Sequence, residues 1–355
     1  MSLQKKPQIA IKTESLNGIS CLNAIQKSNS VLNQILPPAN ATESSLIFAQ
    51  SVELFDLAQA NGVQNFIITE KILNDVSKKI KPNHGLWTTQ NISEAMSQVF
   101  KLFNLKTSIN SGIHPSAYIA KTATLGKNIT IEPFAVIGEN CVIGDNAIIG
   151  SHSVIENQAH IGANTVLSSH VFVGFNCEVG NNCIIGPQTV FGSDGFGFFT
   201  DKTGTHHKIS QIGRVVVEDN CEFGSYCVVD RAALTDTRIK KGSKFDNIIH
   251  IAHNCEIGDN ALITAGFIVA GSTKIGKNLM TAGGVHVNGH VQIPDNVILT
   301  ARTAVTSTIE KSGVYGGFPA TDHKSNLKIM STMGKLPEMR KQILKIIKHL
   351  GLTEE

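Results

Sequence analysis

From Ile113 onward an aliphatic or aromatic side chain returns at every sixth residue: Ile119, Leu125, Ile131, Ile137, Ile143, Ile149, Ile155, Ile161, Leu167, Val173, Val179, Ile185 and Phe191. A second array runs Ile239, Phe245, Ile251, Ile257, Ile263, Val269, Ile275, Thr281, Val287, Ile293, Leu299 and Val305, and only Thr281 departs from it. Between the arrays lies a break at 192–212 containing SDGFGFFTDKTGTHHKIS. VVVEDNCEFGSYCVV then restores the period, and a phase slip follows near 230–238. A period of six is neither the 3.6 of a helix nor the 2 of an alternating strand. It predicts a parallel β-helix, with the apolar residue inside and small or polar residues at the corners. The break reads as an excursion from this body.

The flanks lack the period. In residues 1–105, SVELFDLAQA reads as helix, NFIIT as strand and QNISEAMSQVFKLF as helix with Asn91 as N-cap, so a small α/β domain is expected there. KPNHG marks a turn within it, and the first forty residues carry no clear pattern. The repeat body is expected over 106–310 and a basic helical tail over 311–355. In that tail GVYGGFPATDHK reads as a loop. Leu336, Met339, Ile343, Ile346, Ile347 and Leu350 then fall at helical spacing, with Pro337 in the first turn.

Composition agrees with a stacked body. Aromatics are only 6% of the chain while glycine reaches 31 residues, so the core must be aliphatic and many backbone positions must be bare. Cys141, Cys177, Cys183, Cys221 and Cys255 share one position of the hexad and make no CxxC pair, which marks them as small buried fillers. The net charge of +3 is too small to argue for nucleic-acid binding. It hides an asymmetry. Lys324 to His349 holds seven basic residues and one acid, a local +6 that suits an acidic partner as well as a solvated face. The opening MSLQKKPQIAIKTESLNG has no apolar core of an export signal, and no run of 18 apolar residues occurs, so a cytoplasmic chain with reduced cysteines is expected.

The arrays resemble hexapeptide-repeat proteins, in which three hexads make one 18-residue coil of left-handed sense. The fold class expected is therefore mainly β: a left-handed parallel β-helix with an N-terminal α/β domain and a helical tail. On such a coil His253, Gly271 and Gly289 follow at 18-residue steps, His290 adjoins Gly289, and His250 and His286 share a second column. A neutral imidazole can act as general base, and a bare glycine lets an N–H reach a developing oxyanion. GSDGFGF lacks the GxGxxG spacing and strand-to-helix context of a nucleotide loop. His152, His160 and His170 fall on other columns and read as surface residues.

FGSDGFGF, KISQIGRVVVEDN, VVDRAALTDTRI, FDNIIHIAHNCEIGDNALITAG, VAGSTKIG and GGVHVNGHVQI, in this order and spacing, strongly resemble UDP-3-O-acylglucosamine N-acyltransferase of lipid A biosynthesis. The likeness runs from about Ile113 to Ala320. It implies a cytoplasmic homotrimer with sites between prisms, passing a (3-hydroxy)acyl chain from acyl carrier protein to the 2-amino group of a UDP-3-O-acyl-glucosamine. It further implies His253 as general base, His290 polarising or positioning the thioester, Gly271 as oxyanion donor and Asp246 orienting the base or acceptor. Phe48, Asn247 and His250 are the implied substrate-binding positions. No metal or organic cofactor is implied; phosphopantetheine arrives on the carrier protein.

The chain also departs from the family. Phe48 matches an aromatic that holds uracil, but Leu54 stands where a Tyr is expected, with Phe55 the nearest aromatic. DRGAL reads DRAAL, with Ala232. TARTAVTS at 300–307 is small-sided where the family closes its acyl channel, which suggests a longer acyl chain near Ala304. Three other readings share the architecture: an O-acyltransferase on a UDP-amino sugar, a non-enzymatic β-solenoid, and a γ-class carbonic anhydrase. For the last, His250, His286 and His290 give spacings of 36 and four, where that family has 36 and five.

Overall fold

The structure is a computed structural model that describes residues 10–103, 112–316 and 323–351, the side chains of 323–326 apart. Contacts divide the chain into two units, Met1–Ile109 and Asn110–Glu355.

In the first unit a five-stranded sheet runs in the order 23–26, 85–89, 65–69, 45–49, 34–35, parallel throughout except for the edge strand Asn23–Gln26. Alternation in these strands sends Ile47, Phe66, Ile68 and Leu86 to a core with Phe55 and Ala58 of helix Val52–Ala60. Leu46, Ile67 and Trp87 go to the opposite core, with Ile92, Ala95 and Val99 of helix Ile92–Phe103. Asn91 caps that helix as expected: its Oδ1 accepts from the N–H groups of Ser93 and Glu94 at 3.0 and 3.2 Å. The unpatterned first forty residues contribute the antiparallel edge strand, and Asn17 Oδ1 accepts from the buried Trp87 Nε1 at 3.1 Å.

The second unit is a parallel β-helix. Each coil gives one two-residue strand to each of three faces, as in Lys244–Phe245, His250–Ile251 and Glu256–Ile257, called here the first, second and third faces. Neighbouring strands pair 18 residues apart, as in Ile131↔Ile149. The second residue of each pair points into one continuous aliphatic core. Thr281, the exception in the array, is buried there. Its Oγ1 accepts from Thr264 N–H, and Thr264 Oγ1 donates to its carbonyl at 2.9 Å. The five aligned cysteines and Cys227 are buried thiols.

Corners turn through left-handed backbone at one residue per hexad, most often asparagine: Asn128, Asn146, Asn164, Asn182 and Asn220 all have φ between 54° and 60°. Asparagine tolerates this region. Its amides add a ladder, each Nδ2 donating to the next Oδ1 at 3.4, 3.1 and 3.3 Å from Asn128 to Asn182. Where coils press closest, no side chain fits. A methyl group at Gly162 would overlap the carbonyl carbon of Gly180.

Two insertions interrupt the ladder without breaking it. Phe191 pairs with Val229 across 38 residues, and Val229 pairs with Ile251 across 22. The longer one projects a hairpin, Phe198–Thr200 against His206–Lys208. The shorter one is the phase slip after Asp230. Contrary to the expected loop, Gly313–Tyr315 form a last strand on the first face, where Leu299 pairs with Tyr315. The body therefore runs past residue 310. The tail is two helices, His323–Met333 and Leu336–Leu350, the second with Pro337 in its first turn and Leu336, Met339, Ile343, Ile346 and Leu350 exposed. Among the described residues no helix is long and apolar enough to cross a membrane.

We expect Gly162→Ala to cost about 2–3 kcal/mol through overpacking against backbone. Chemical denaturation would show this as a lower midpoint. Gly18→Ala, with nothing within 4 Å of the new methyl, should leave the midpoint within error.

Candidate active site

His253 lies at the corner between the second and third faces, half-buried, and is held on three sides. On the coil above, Gly271 leaves room for the ring: a methyl there would stand 2.6 Å from Cε1 and 2.7 Å from Nε2. On the other side the excursion returns, and a methyl at Gly195 would stand 2.6 Å from His253 Cβ and 2.9 Å from Cδ2. The imidazole thus occupies a slot between two bare Cα atoms. Asn254 Oδ1 makes the third contact, 3.1 Å from His253 Nδ1. The same oxygen accepts from Ala233 N–H at 3.0 Å, which fixes it as the amide's oxygen. An acceptor there selects the Nδ1–H tautomer and leaves the Nε2 lone pair free toward Gly271.

Gly271 is well placed to donate. Ala270 N–H bonds Val287 O at 2.9 Å and Ser272 N–H bonds His253 O at 2.9 Å. Among the described residues the intervening Gly271 N–H makes no hydrogen bond. The next coil adds His290, whose N–H donates to Gly271 O at 3.0 Å and whose side chain is exposed. The column His253, Gly271, Gly289 with His290 alongside is therefore present as the spacing predicts. His250 and His286 sit on the second face in one column, separated by Ile268.

Asp246 lies on a different corner of the prism from His253. It stands with Asn247 at the corner between the first and second faces, exposed, its carboxylate accepting from Asn247 N–H, Asn247 Nδ2 and Ala265 N–H. Within one prism it does not orient His253; the neighbouring Asn254 does. The carboxylate that lies close to the histidines is Asp230, which sequence reasoning passed over. It is 6% exposed, accepts from Ser193 Oγ at 2.7 Å, and its Oδ2 is 3.7 Å from His250 Nε2. Burial raises its pKa, against the opposing pull of Ser193 and of His250 and His253. Both residues lay in segments already singled out, IAHN and DRAAL. Adjacency to the histidine was the signal for Asn254; nothing local flagged Asp230. Ala232, the departure in DRAAL, is fully buried opposite Gly213, where a methyl would come 2.9 Å from its Cβ.

In the first unit Phe48 is half-buried and meets Phe100 edge-on, ring centroids 5.8 Å apart. Phe55 is fully buried against Phe66 at 4.5 Å, so it does not replace the missing aromatic. Phe100, 42% exposed on the last helix of the unit, is the aromatic beside Phe48. His152 and His170 stack with Phe134 at 5.0 Å spacing on an exposed corner. Among the described residues of the single chain, no three His, Cys, Asp or Glu side chains come together as metal ligands.

The fold is shared with proteins of solved structure. A solved Arabidopsis UDP-N-acetylglucosamine acyltransferase superposes with a TM-score of 0.52 at 24% identity, covering 58% of this chain and 71% of that one. A family profile described as GMPPB C-terminal domain matches residues 113–195. More particularly, the chain is 43% identical over 146 residues to UDP-3-O-acylglucosamine N-acyltransferase 2 of Sulfurimonas denitrificans, 41% of this chain and 46% of that protein. It is 35% identical over 181 residues to UDP-3-O-acylglucosamine N-acyltransferase of Methylococcus capsulatus, 50% of this chain and 51% of that protein. The chain spans about half the length of the curated relatives it matches. The resemblance read from its motifs is thus met by relatives that carry that name.

An aspartic acid whose folded pKa exceeds its unfolded value stabilises while protonated. For Asp230 this contribution is full below about pH 3.9 and is lost as pH rises through the raised folded value. Asn at 230 can still accept from Ser193 Oγ. Thermal denaturation should therefore show Asp230→Asn gaining on wild type as pH rises above about 3.9; a constant gap would contradict the buried carboxyl.

Proposed function

We propose that the chain is an N-acyltransferase that moves a (3-hydroxy)acyl chain from acyl carrier protein to the 2-amino group of UDP-3-O-acyl-glucosamine. The observation that carries this reading is the His253 slot, which aims a free Nε2 at a glycine with an unused N–H. As the amine nitrogen attacks the thioester carbonyl, His253 Nε2 takes its proton. The carbonyl oxygen gains negative charge beside Gly271 N–H. Collapse of the tetrahedral intermediate breaks the C–S bond, and the pantetheine sulfur leaves with the proton that His253 returns. His290, exposed one coil further on, would position the thioester. The reaction as drawn needs no metal or organic cofactor, and the phosphopantetheine belongs to the donor. Phe48 beside Phe100 would hold the uracil, and the basic tail would meet the acidic carrier protein in the cytoplasm.

A homotrimer completes the site. Outward residues of the third face form ion pairs, Arg214 with Glu178 at 2.7 Å and Arg238 with Asp236 at 2.6 Å. The other two faces carry exposed Ile184, Leu262, Met280 and Ile298 on one and Tyr118 and Ile268 on the other. Their shared corner presents Phe134, Tyr226 and Ile248, the last 66% exposed. Apolar surface of this extent favours burial against further copies. The same corner bears Asp246 and Asn247, so a neighbour's histidine corner docked there would meet both. His250 would face the same cleft.

A transfer assay offering several hydroxyacyl-carrier donors with UDP-3-O-acylglucosamine tests the reading. Wild type should form N-acyl product and His253→Ala should lose about 100-fold or more in kcat. No N-acyl product with any donor defeats the proposal, and O-acyl product would favour the O-transferase alternative. Ile248→Asp should turn a sedimenting trimer into monomer and abolish turnover. A cavity of about 340 Å³ lined by Thr303, Ala304, Thr306, Ser307 and Tyr315 supports a long acyl chain. Ala304→Met should shorten the preferred donor in a chain-length series; an unchanged optimum would place the chain elsewhere.

A further inference from the structure

The slot around His253 has one wall, Gly271, built into the coil and another, Gly195, that belongs to an excursion. Gly195 stays on the ring only if the excursion is fastened at its root. The fastening is visible. Arg231 is an arginine whose side chain is only 10% exposed. Its Nε donates to Gly192 O at 2.9 Å, and its Nη2 donates to Phe175 O on the coil below at 3.1 Å. It lies along two glycines: methyl groups at Gly174 and Gly192 would stand 3.0 and 3.4 Å from its Nη2. Gly192 itself has φ of 94°, a conformation that glycine adopts without strain. One residue on, Ser193 Oγ donates to Asp230 at 2.7 Å. Asp194, the last residue of the coil strand Val190–Asp194, pairs with Lys208 on the returning strand of the hairpin and lies 3.9 Å from Arg231 Nε.

We propose that Arg231, with the Ser193–Asp230 hydrogen bond, is the positioning element of the proposed base: it clamps the excursion so that Gly195 holds the His253 imidazole with Nε2 toward Gly271. The inference rests on the acyltransferase reading and assigns no contact between these residues and substrate. A guanidinium suits the task because its fixed fork reaches two carbonyls on different coils at once, whereas a lysine ammonium is a single point on a flexible stem. With the clamp released the ring gains rotameric freedom, and a displacement of about 1 Å at a reacting group costs about 100-fold in rate.

The experiment is a double-mutant cycle in the transfer assay. Arg231→Lys and Ser193→Ala should each lower kcat, by about tenfold or more for Arg231→Lys, with KM changed by less than about threefold. In a His253→Ala background neither should lower the residual rate further, because a residue acting through His253 has nothing left to act on. Multiplicative losses in that background, or unchanged kcat in both single variants, would overturn the proposal. Ser193→Ala removes only one hydroxyl, which keeps the test decisive if Arg231→Lys fails to fold. Should wild type transfer nothing, the functional reading fails by itself. The clamp is then read from the imidazole resonances of His253, which must shift in Ser193→Ala; unshifted resonances would refute it.

Discussion

Every feature of the second unit answers to one constraint, the backbone hydrogen bonding of each coil to the next at a fixed register. Bonds such as Ile148 N–H to Thr165 O at 2.9 Å and Val166 N–H to Cys183 O at 2.9 Å repeat up the prism. Side chains can therefore occupy only columns. Inward columns are mostly aliphatic, left-handed corners favour asparagine, and glycine recurs where one coil presses closely on the next. The low aromatic content and the high glycine content follow from this geometry. The ladder also makes chemistry cumulative: residues far apart in sequence but a whole number of coils apart become neighbours, which is how His253 meets Gly271.

The proposed site lies where the ladder is interrupted. A regular coil leaves few groups unpaired, so it has little to offer a substrate. Between Phe191 and Ile251 two insertions leave the strand pairing intact while freeing backbone and side chains at a single corner. The excursion supplies Gly195 and Ser193, the short bulge carries Asp230 and Arg231 at its root, and the next coil brings His253 with Asn254. Burial of Asp230 and Arg231 beneath the excursion links the two insertions.

Much of this was legible in the sequence, for a reason specific to the fold. The hexad array set the register, and the register placed His253, Gly271, Gly289 and His290 together without any side-chain information. What spacing could not show were contacts that depend on side-chain direction or on the path of an insertion. Asn254 orients the base because its left-handed backbone brings Oδ1 back toward Nδ1, and a count of residues does not register that. Gly195 reaches His253 through a loop whose course no period describes. Asp246, seven residues before His253, falls on another corner of the same prism, so a single chain does not bring the two together. In the first unit Phe55 was the nearest aromatic in sequence, yet helical phase sends it into the core while Phe100, about fifty residues away, stands beside Phe48.

The central claim is that the slot presents Nε2 of a neutral His253 as a proton acceptor. Nitrogen-15 NMR of the imidazole in the full-length protein, near neutral pH, reads this directly. The account predicts an N–H signal at Nδ1, donated to Asn254, and a bare, pyridine-like Nε2. A neutral ring protonated at Nε2 instead, its lone pair turned toward Asn254, would contradict it.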